Sequence, residues 1–212
     1  MSLRTRMMKG LAGQLGHPRG PLGRVVGARL NRRNRGVVTA AIDALGDLNA
    51  RACADLGFGG GVGVAVLLER VGPAGRVYGV EQSETMLSRA ERRFRHETGD
   101  GRLHLRAGSL TRLPLADDSL DGAITINTIY FLPELDAAFS ELARTVKPSG
   151  RAVVGMGDPE WMAKLPFTEH GFNIRPVAEV VAALESAGLA LEEHRRVGDG
   201  DAAGHLLVVT PV

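Results

Sequence analysis

A dense run of glycines follows a short apolar segment in the first third of the chain, and a carboxylate stands just before it. Asp55 precedes Gly57, Gly59 and Gly61, and an apolar stretch of helical character comes next. Glycine tolerates positive φ and lets a ligand approach the backbone closely. Residues 57–61, the glycine loop, therefore predict a ligand lying against main-chain amides at a helix N-terminus.

A second carboxylate, Glu81, ends the next apolar run, 24 residues after Gly57. An acidic side chain there can accept hydrogen bonds from both hydroxyls of a ribose, so we expect an adenosine-type ligand. Asp55 at the base of the loop would repel a pyrophosphate, and Val62 stands where dinucleotide binders carry their third glycine. A cationic ligand is favoured instead. Two simpler interpretations remain open: Asp55 could cap the following helix, and Glu81 could be a surface charge.

The glycine loop together with Asp55 resembles the first motif of class I S-adenosylmethionine-dependent methyltransferases, and the resemblance extends over residues 37–212. In that family the loop holds the methionyl end of the cofactor, the early acid approaches its α-ammonium, and the acid after strand two holds the ribose. The resemblance therefore implies S-adenosylmethionine as the cofactor, bound by Asp55, by Gly57, Gly59 and Gly61, and by Glu81.

Later segments match the same family in chain order. Residues 108–114 resemble the segment that packs on adenine, which implies cofactor contacts for Ser109 and Leu110. Many relatives carry Asp where Ser109 stands, so the backbone of Leu110 could substitute for it. Asn127 ends the segment that resembles strand four, beside the reactive methyl group. Residues 142–150 resemble the helix-to-strand turn of the small-molecule branch, which includes quinone-biosynthesis methyltransferases.

The acceptor pocket is expected where strand four ends, in the stretch that begins with Asn127 and Thr128. Tyr130 offers a hydrogen-bonding group for catalysis or substrate binding, and Phe131 offers an apolar wall. The alternative is that Tyr130 and Phe131 pack beneath the next helix.

Two further places are candidates for contact with the acceptor. His17 lies among glycines and could act as a general base, with Arg19 meeting an anionic group. Trp161 lies in the long segment 156–174, which could close over an apolar substrate or pack as a flap. A surface histidine is the simpler interpretation of His17. Cysteine and histidine spacing typical of a metal site is absent, so no metal is expected.

Apolar runs alternate with helix-period segments from residue 51 onward, which is typical of an α/β fold. We expect a Rossmann-like, doubly wound, mostly parallel seven-stranded sheet that ends in an antiparallel hairpin. The predicted strands are 51–56, 76–81, 102–107, 120–126, 151–156, 189–196 and 204–210. The predicted helices span residues 34–45, 134–146 and 176–188, and a further helix is predicted to start near residue 83.

Charge divides the 212 residues into two parts. Residues 1–35 carry nine basic and no acidic side chains, whereas residues 36–212 carry 17 basic and 24 acidic ones, a net charge of −7. We expect a basic N-terminal helical arm or lid, 1–35, and a methyltransferase domain, 36–212. The arm could dock on its own body, or attract an anionic substrate, a membrane surface or RNA.

Composition and patterning narrow the function. No apolar run is long enough to cross a bilayer, and a single cysteine, Cys53, suits a reducing compartment, so a cytoplasmic protein is expected.

The hypothesis for the function is methyl transfer from S-adenosylmethionine to a small, partly apolar or anionic acceptor at O, N or C. The alternatives are an RNA methyltransferase guided by the basic arm and a non-catalytic cofactor-binding protein. RNA is less favoured because the body is acidic and strand four lacks the Pro-Pro site of such enzymes. Sequence leaves the oligomeric state open.

Overall fold

A seven-stranded sheet runs through the computed structural model, which describes residues 8, 10, 12–13, 34–200 and 203–212. The strands are β1 (Ala52–Leu56), β2 (Arg76–Glu81), β3 (Leu103–Ala107), β4 (Leu120–Ile126), β5 (Val146–Gly157), β6 (Leu189–Val197) and β7 (Gly204–Pro211). The helices are α1 (34–44), α2 (Val62–Val71), α3 (Glu84–Arg93), α4 (Arg95–Gly99), α5 (Asp136–Thr145), α6 (Pro159–Ala163) and α7 (Val177–Ser186). A 3₁₀ turn spans Ile129–Phe131.

The strand order is β3-β2-β1-β4-β5-β7-β6, which confirms the predicted sheet. The first five strands are parallel, and β7 pairs antiparallel with both β5 and β6. The order of the strands reverses at β1, which has β2 on one side and β4 on the other. In open α/β sheets, ligands bind at such a switch point, beyond the carboxyl ends of the strands. The glycine loop begins there, directly after β1.

Apolar layers cover both faces of the sheet. Helices α1, α2 and α3 pack on one face, where Ile42, Leu67 and Met86 are fully buried. Helices α5 and α7 pack on the other, with Phe139 and Leu184 in the core. These residues recur at helical spacing in the sequence, so each helix presents one apolar stripe to the sheet. The carboxyl edge of β1 and β4 is thereby held between two rigid layers.

The start of β5 differs from the prediction. Residues 147–150 were expected to form a turn between helix 134–146 and strand 151–156, but β5 begins at Val146, directly after α5. Val146 pairs with Leu120 of β4, and the register then shifts before Gly122 pairs with Arg151. Residues 147–150 fall within this register shift, so the turn-forming Pro-Ser-Gly sequence is accommodated as an irregularity between two paired positions of β5.

The described part of helix α1 starts at residue 34 and so crosses the predicted boundary between arm and domain, which stays a prediction. Within the described part of the chain, every helix is too short or too polar to traverse a membrane.

Candidate functional site

The glycine loop turns sharply at the end of β1. Gly57, Gly59 and Gly61 all have positive φ, at 77°, 50° and 74°. The amide of Gly57 donates to the carbonyl of Val80, 2.8 Å away, which ties the loop to β2. A side chain on Gly57 would overlap the methyl group of Thr128, whereas no atom lies within 4 Å of the place where a Cβ on Gly59 would stand. The loop is therefore packed at its start and open at Gly59.

Asp55 is a buried carboxylate at the base of this loop, with 5% of its surface exposed. It accepts a hydrogen bond from the amide of Val64, in the first turn of α2. Gly63 makes this approach possible, because a Cβ there would collide with the carboxylate. Burial, and secondarily the charge of Glu81, raise the pKa of Asp55 to about 7. Asp55 therefore contacts the first turn of the helix, as the capping interpretation proposed, and also stands at the base of the loop, as the binding interpretation requires. Among the described residues, its negative charge has no cationic partner.

Glu81 is also buried, at 7% exposure, and it joins the glycine loop to α3. Its Oε2 accepts from the amide of Gly59, and its Oε1 accepts from the amides of Gln82 and Ser83, all at 2.9 Å. A carboxylate has about four acceptor positions, two on each oxygen. One position on Oε2, the oxygen beside Gly59, is left for a ligand. The interpretation of Glu81 as a surface charge is wrong.

The end of β4 lies against the glycine loop. Asn127 has φ of 58°, and its amide donates to the carbonyl of Gly155, 2.8 Å away. Thr125, buried in β4, donates from Oγ1 to the carbonyl of Leu56 at 2.9 Å and is also hydrogen-bonded to the hydroxyl of Thr128. Thr128, which is half-buried like Asn127, therefore stands beside the carboxyl end of β1. The roles of Asn127 beside the reactive methyl group and of Thr128 in the acceptor pocket stay predictions.

The segment after β3 reaches the loop through Leu110. Its Cδ1 lies 3.6 Å from the place where a Cβ on Gly57 would stand. The hydroxyl of Ser109 forms a hydrogen bond with Thr111, at 2.9 Å, and Ser109 also forms a β-bridge with Arg112. Leu110 is thus brought to the site, whereas the Ser109 hydroxyl is engaged by its own turn.

Tyr130 lies in the core, with 2% of its surface exposed. Its hydroxyl accepts a hydrogen bond from the amide of Gly157, at the end of β5. Burial raises the pKa of Tyr130 to about 12. The phenol is therefore protonated near pH 7 and unsuited to serve as a general base, and its position favours the packing interpretation.

Aromatic rings extend from Tyr130 toward the segment after α6. Phe131 is half-buried, and its ring centroid lies 4.8 Å from that of Phe172, which in turn lies 5.7 Å from that of Phe167. Trp161, in α6, borders a different cavity of about 380 Å³ whose other walls are charged: Asp158, Glu160, Lys164 and Arg196. The structure therefore groups Phe131 with an apolar cluster, whereas Trp161 both packs against the hydrophobic core and borders a polar cavity.

His17 and Arg19 lie outside the described residues, so their roles stay predictions. Three features of the site were missed from sequence. Gly63 was overlooked although it continues the glycine run, and Thr125 gave a signal only as a hydroxyl within an apolar strand. The third is the end of α3, where Arg93 donates to the carbonyl of Gly60 at 3.2 Å and the ring of Phe94 packs against Gly61. No sequence signal indicated that contact.

A family model described as a methyltransferase domain matches residues 54–154. A demethylmenaquinone methyltransferase of Desulfitobacterium hafniense is 36% identical over 83 residues, 39% of this chain and 33% of that protein. The chain spans only 25% to 35% of the length of the first relatives that it matches.

Solved structures show the same fold over most of the chain. An S-adenosylmethionine-dependent methyltransferase from Aquifex aeolicus has a TM-score of 0.70 at 23% identity, covering 85% of this chain and 93% of that one. Geranyl diphosphate C-methyltransferase from Streptomyces coelicolor A3(2), in complex with S-adenosyl-L-homocysteine, has a TM-score of 0.71 at 19% identity, covering 94% and 88%. At these identities the likeness is one of fold.

Proposed function

We propose that this chain transfers the methyl group of S-adenosylmethionine to a small, partly apolar or anionic acceptor, because it carries a class I S-adenosylmethionine-dependent methyltransferase domain. The observation that carries the proposal is the pair of buried carboxylates, Asp55 and Glu81, on either side of an open glycine turn. The pair is suited to a ligand with a cationic amino-acid end and a ribose, and unsuited to a phosphate.

The cofactor fits the residues present. Gly59 leaves room for a ligand to lie against the backbone, and Asp55 offers a buried negative charge beside it. In the proposal, Asp55 receives the α-ammonium, Oε2 of Glu81 receives a ribose hydroxyl, and Leu110 packs on adenine. Ser109 contributes through its backbone, because its hydroxyl is engaged by Thr111. Asn127 lies nearest the methyl group.

The protein's part in the reaction is alignment and exclusion of water. The sulfonium supplies an activated methyl group: the sulfur–methyl bond breaks as the acceptor atom forms its own bond to the methyl, leaving a neutral thioether. The chain must hold the acceptor in line, within about 3–3.5 Å of the methyl carbon. The acceptor's proton passes to a base or to water. His17 is proposed as that base and Arg19 as the partner of an anionic group.

The acceptor is proposed to lie over the apolar cluster that contains Phe131. Phe131 follows the carboxyl end of β4, whereas Phe167 and Phe172 follow β5 and α6 in the chain, and the ring of Phe172 packs against the rings of the other two. Geranyl diphosphate, named for the Streptomyces coelicolor structure, combines an apolar chain with an anionic head. An acceptor of that general kind suits the proposed surface, and Trp161, which borders the polar cavity, is proposed as a further contact.

The proposal is tested by calorimetry followed by turnover. S-adenosylhomocysteine should bind the purified protein, and NADH should not compete. Tritium should then pass from labelled S-adenosylmethionine to members of a panel of phenols, quinols, prenyl diphosphates and carboxylates. Tight NADH binding, or cofactor binding without turnover of any acceptor, would contradict the proposal.

Cofactor binding should depend on pH through Asp55. Its carboxyl pKa of about 7 without ligand lies above the ordinary value, so at acid pH a cationic ligand must expel a proton. Affinity for S-adenosylhomocysteine should fall by about tenfold per pH unit below 7 and level off above it. Asp55→Asn should bind more weakly at pH 8 and show a flat profile, whereas Asp100→Asn, on the surface, should follow the wild type.

The raised pKa of Asp55 also determines the direction in which the stability of the unliganded protein changes with pH. Because the folded pKa of Asp55 exceeds the unfolded one, stability without ligand should decrease as pH rises from about 4 to about 7.

Calorimetry across pH 5.5–8 measures how the affinity for S-adenosylhomocysteine depends on pH. A flat wild-type profile between pH 5.5 and 7 would disprove the assignment of Asp55.

A further inference from the structure

The hydroxyls of Thr125 and Thr128 form a chain whose direction can be assigned. A hydroxyl has one proton and two acceptor positions. Thr125 donates its only proton to the carbonyl of Leu56, at 2.9 Å. The hydrogen bond between the two threonines must therefore be donated by Thr128. With its proton directed into the fold, the oxygen of Thr128 presents lone pairs to its remaining surroundings.

Thr128 is held in this orientation by a second contact. Its methyl group lies so close to Gly57 that any side chain on that residue would overlap it. The side chain is thus fixed between β4 and the start of the glycine loop, while part of its surface stays accessible. It stands at the switch point between β1 and β4, on the side of the crevice opposite Glu81 of β2.

We propose that Thr128 is a specificity-determining residue: its oxygen, which can accept but not donate, favours the positively charged sulfonium cofactor over the neutral thioether product. A fixed acceptor stabilises a nearby cation more than a neutral group, and in a partly buried crevice water screens the difference less. The inference rests on the proposed function. Its functional consequence is that product leaves more readily than cofactor.

The test compares charged and neutral ligands on matched variants. Thr128→Val keeps the shape but removes the oxygen, and Thr128→Ser keeps the oxygen but removes the methyl group that packs on Gly57. Calorimetry gives the affinity for S-adenosylmethionine, for sinefungin, which carries an ammonium group near the sulfonium position, and for S-adenosylhomocysteine. The quantity of interest is the affinity ratio of charged to neutral ligand.

Thr128→Val should lower that ratio roughly fivefold, with Thr128→Ser within twofold of the wild type. A role in packing alone would weaken all three ligands equally and leave the ratio unchanged, which would overturn the inference. So would a serine variant that shifts the ratio as far as valine does. If the valine variant does not fold, Thr128→Ala removes the oxygen without added bulk. A wild type that binds none of these ligands would contradict the proposed function itself.

Discussion

Replacing Glu81 with glutamine should weaken binding of S-adenosylhomocysteine by about 10- to 100-fold, because a charged acceptor in a buried hydrogen bond contributes about 1.5–3 kcal/mol. Glutamine has the same length but only one acceptor oxygen. In either orientation its NH₂ group would face at least one backbone amide that Glu81 now accepts, at Gly59 or at Gln82 and Ser83. The substitution therefore removes the ribose acceptor and also loosens the loop.

Calorimetry measures the loss of affinity for S-adenosylhomocysteine. It is done at pH 8, where the Asp55 carboxyl is largely ionised. Glu84→Gln is the matched control, since Glu84 lies exposed in the first turn of α3 and makes the same change in charge nearby. Unchanged affinity in a folded Glu81→Gln protein would mean that Glu81 only braces the loop, and the ribose assignment would be wrong.

Replacement by alanine should affect two glycines of the loop differently: Gly57 chiefly in stability, and Gly59 chiefly in ligand affinity. Gly57→Ala should lower the free energy of unfolding by about 2–5 kcal/mol, since a left-handed residue with a Cβ costs about 1–2 kcal/mol and overpacking against Thr128 about 1–3 kcal/mol. Gly59→Ala should cost only the left-handed contribution of about 1–2 kcal/mol, because its methyl would enter open space and meet no neighbour. That space is where the cofactor is proposed to lie, so Gly59→Ala should lose affinity instead.

Urea unfolding of the unliganded variants gives the first quantity, and calorimetry with S-adenosylhomocysteine gives the second. The affinity of Gly59→Ala should drop at least tenfold, since a methyl group displaces a ligand that contacts the backbone. Equal losses of stability in the two variants would contradict the packing difference between Gly57 and Gly59. Full affinity in Gly59→Ala would show that the ligand approaches the loop from elsewhere.

Local patterns predicted the parts of the site that depend on one strand and its turn. Asp55 lies near the end of one apolar run and Glu81 at the end of the next. Parallel strands bring their carboxyl ends to the same edge of a sheet, so the proximity of the two carboxylates followed from the fold class. The bond from Gly59 to Glu81 did not, because it depends on the pairing of Leu56 with Val80. Spacing along the chain does not determine register between strands.

Side chains that can serve either the core or the ligand were harder to predict. Tyr130 follows β4 as a binding residue would, yet its hydroxyl reaches the amide of Gly157 on the next strand. Val146 was read as part of a helix, but a bridge to Leu120 draws it into β5. In both cases a partner distant in sequence decides the outcome, and a single sequence contains no record of that partner.

The position of β7 affects how the protein forms during synthesis. This strand is translated after β6, yet it lies between β5 and β6 and supplies hydrogen bonds to both. Until residues 204–211 have left the ribosome, β5 has an open edge and β6 has no neighbour in the sheet. The strands that carry the glycine loop, Glu81 and Thr128 emerge earlier, so the nascent chain could assemble its ligand crevice before its sheet is complete.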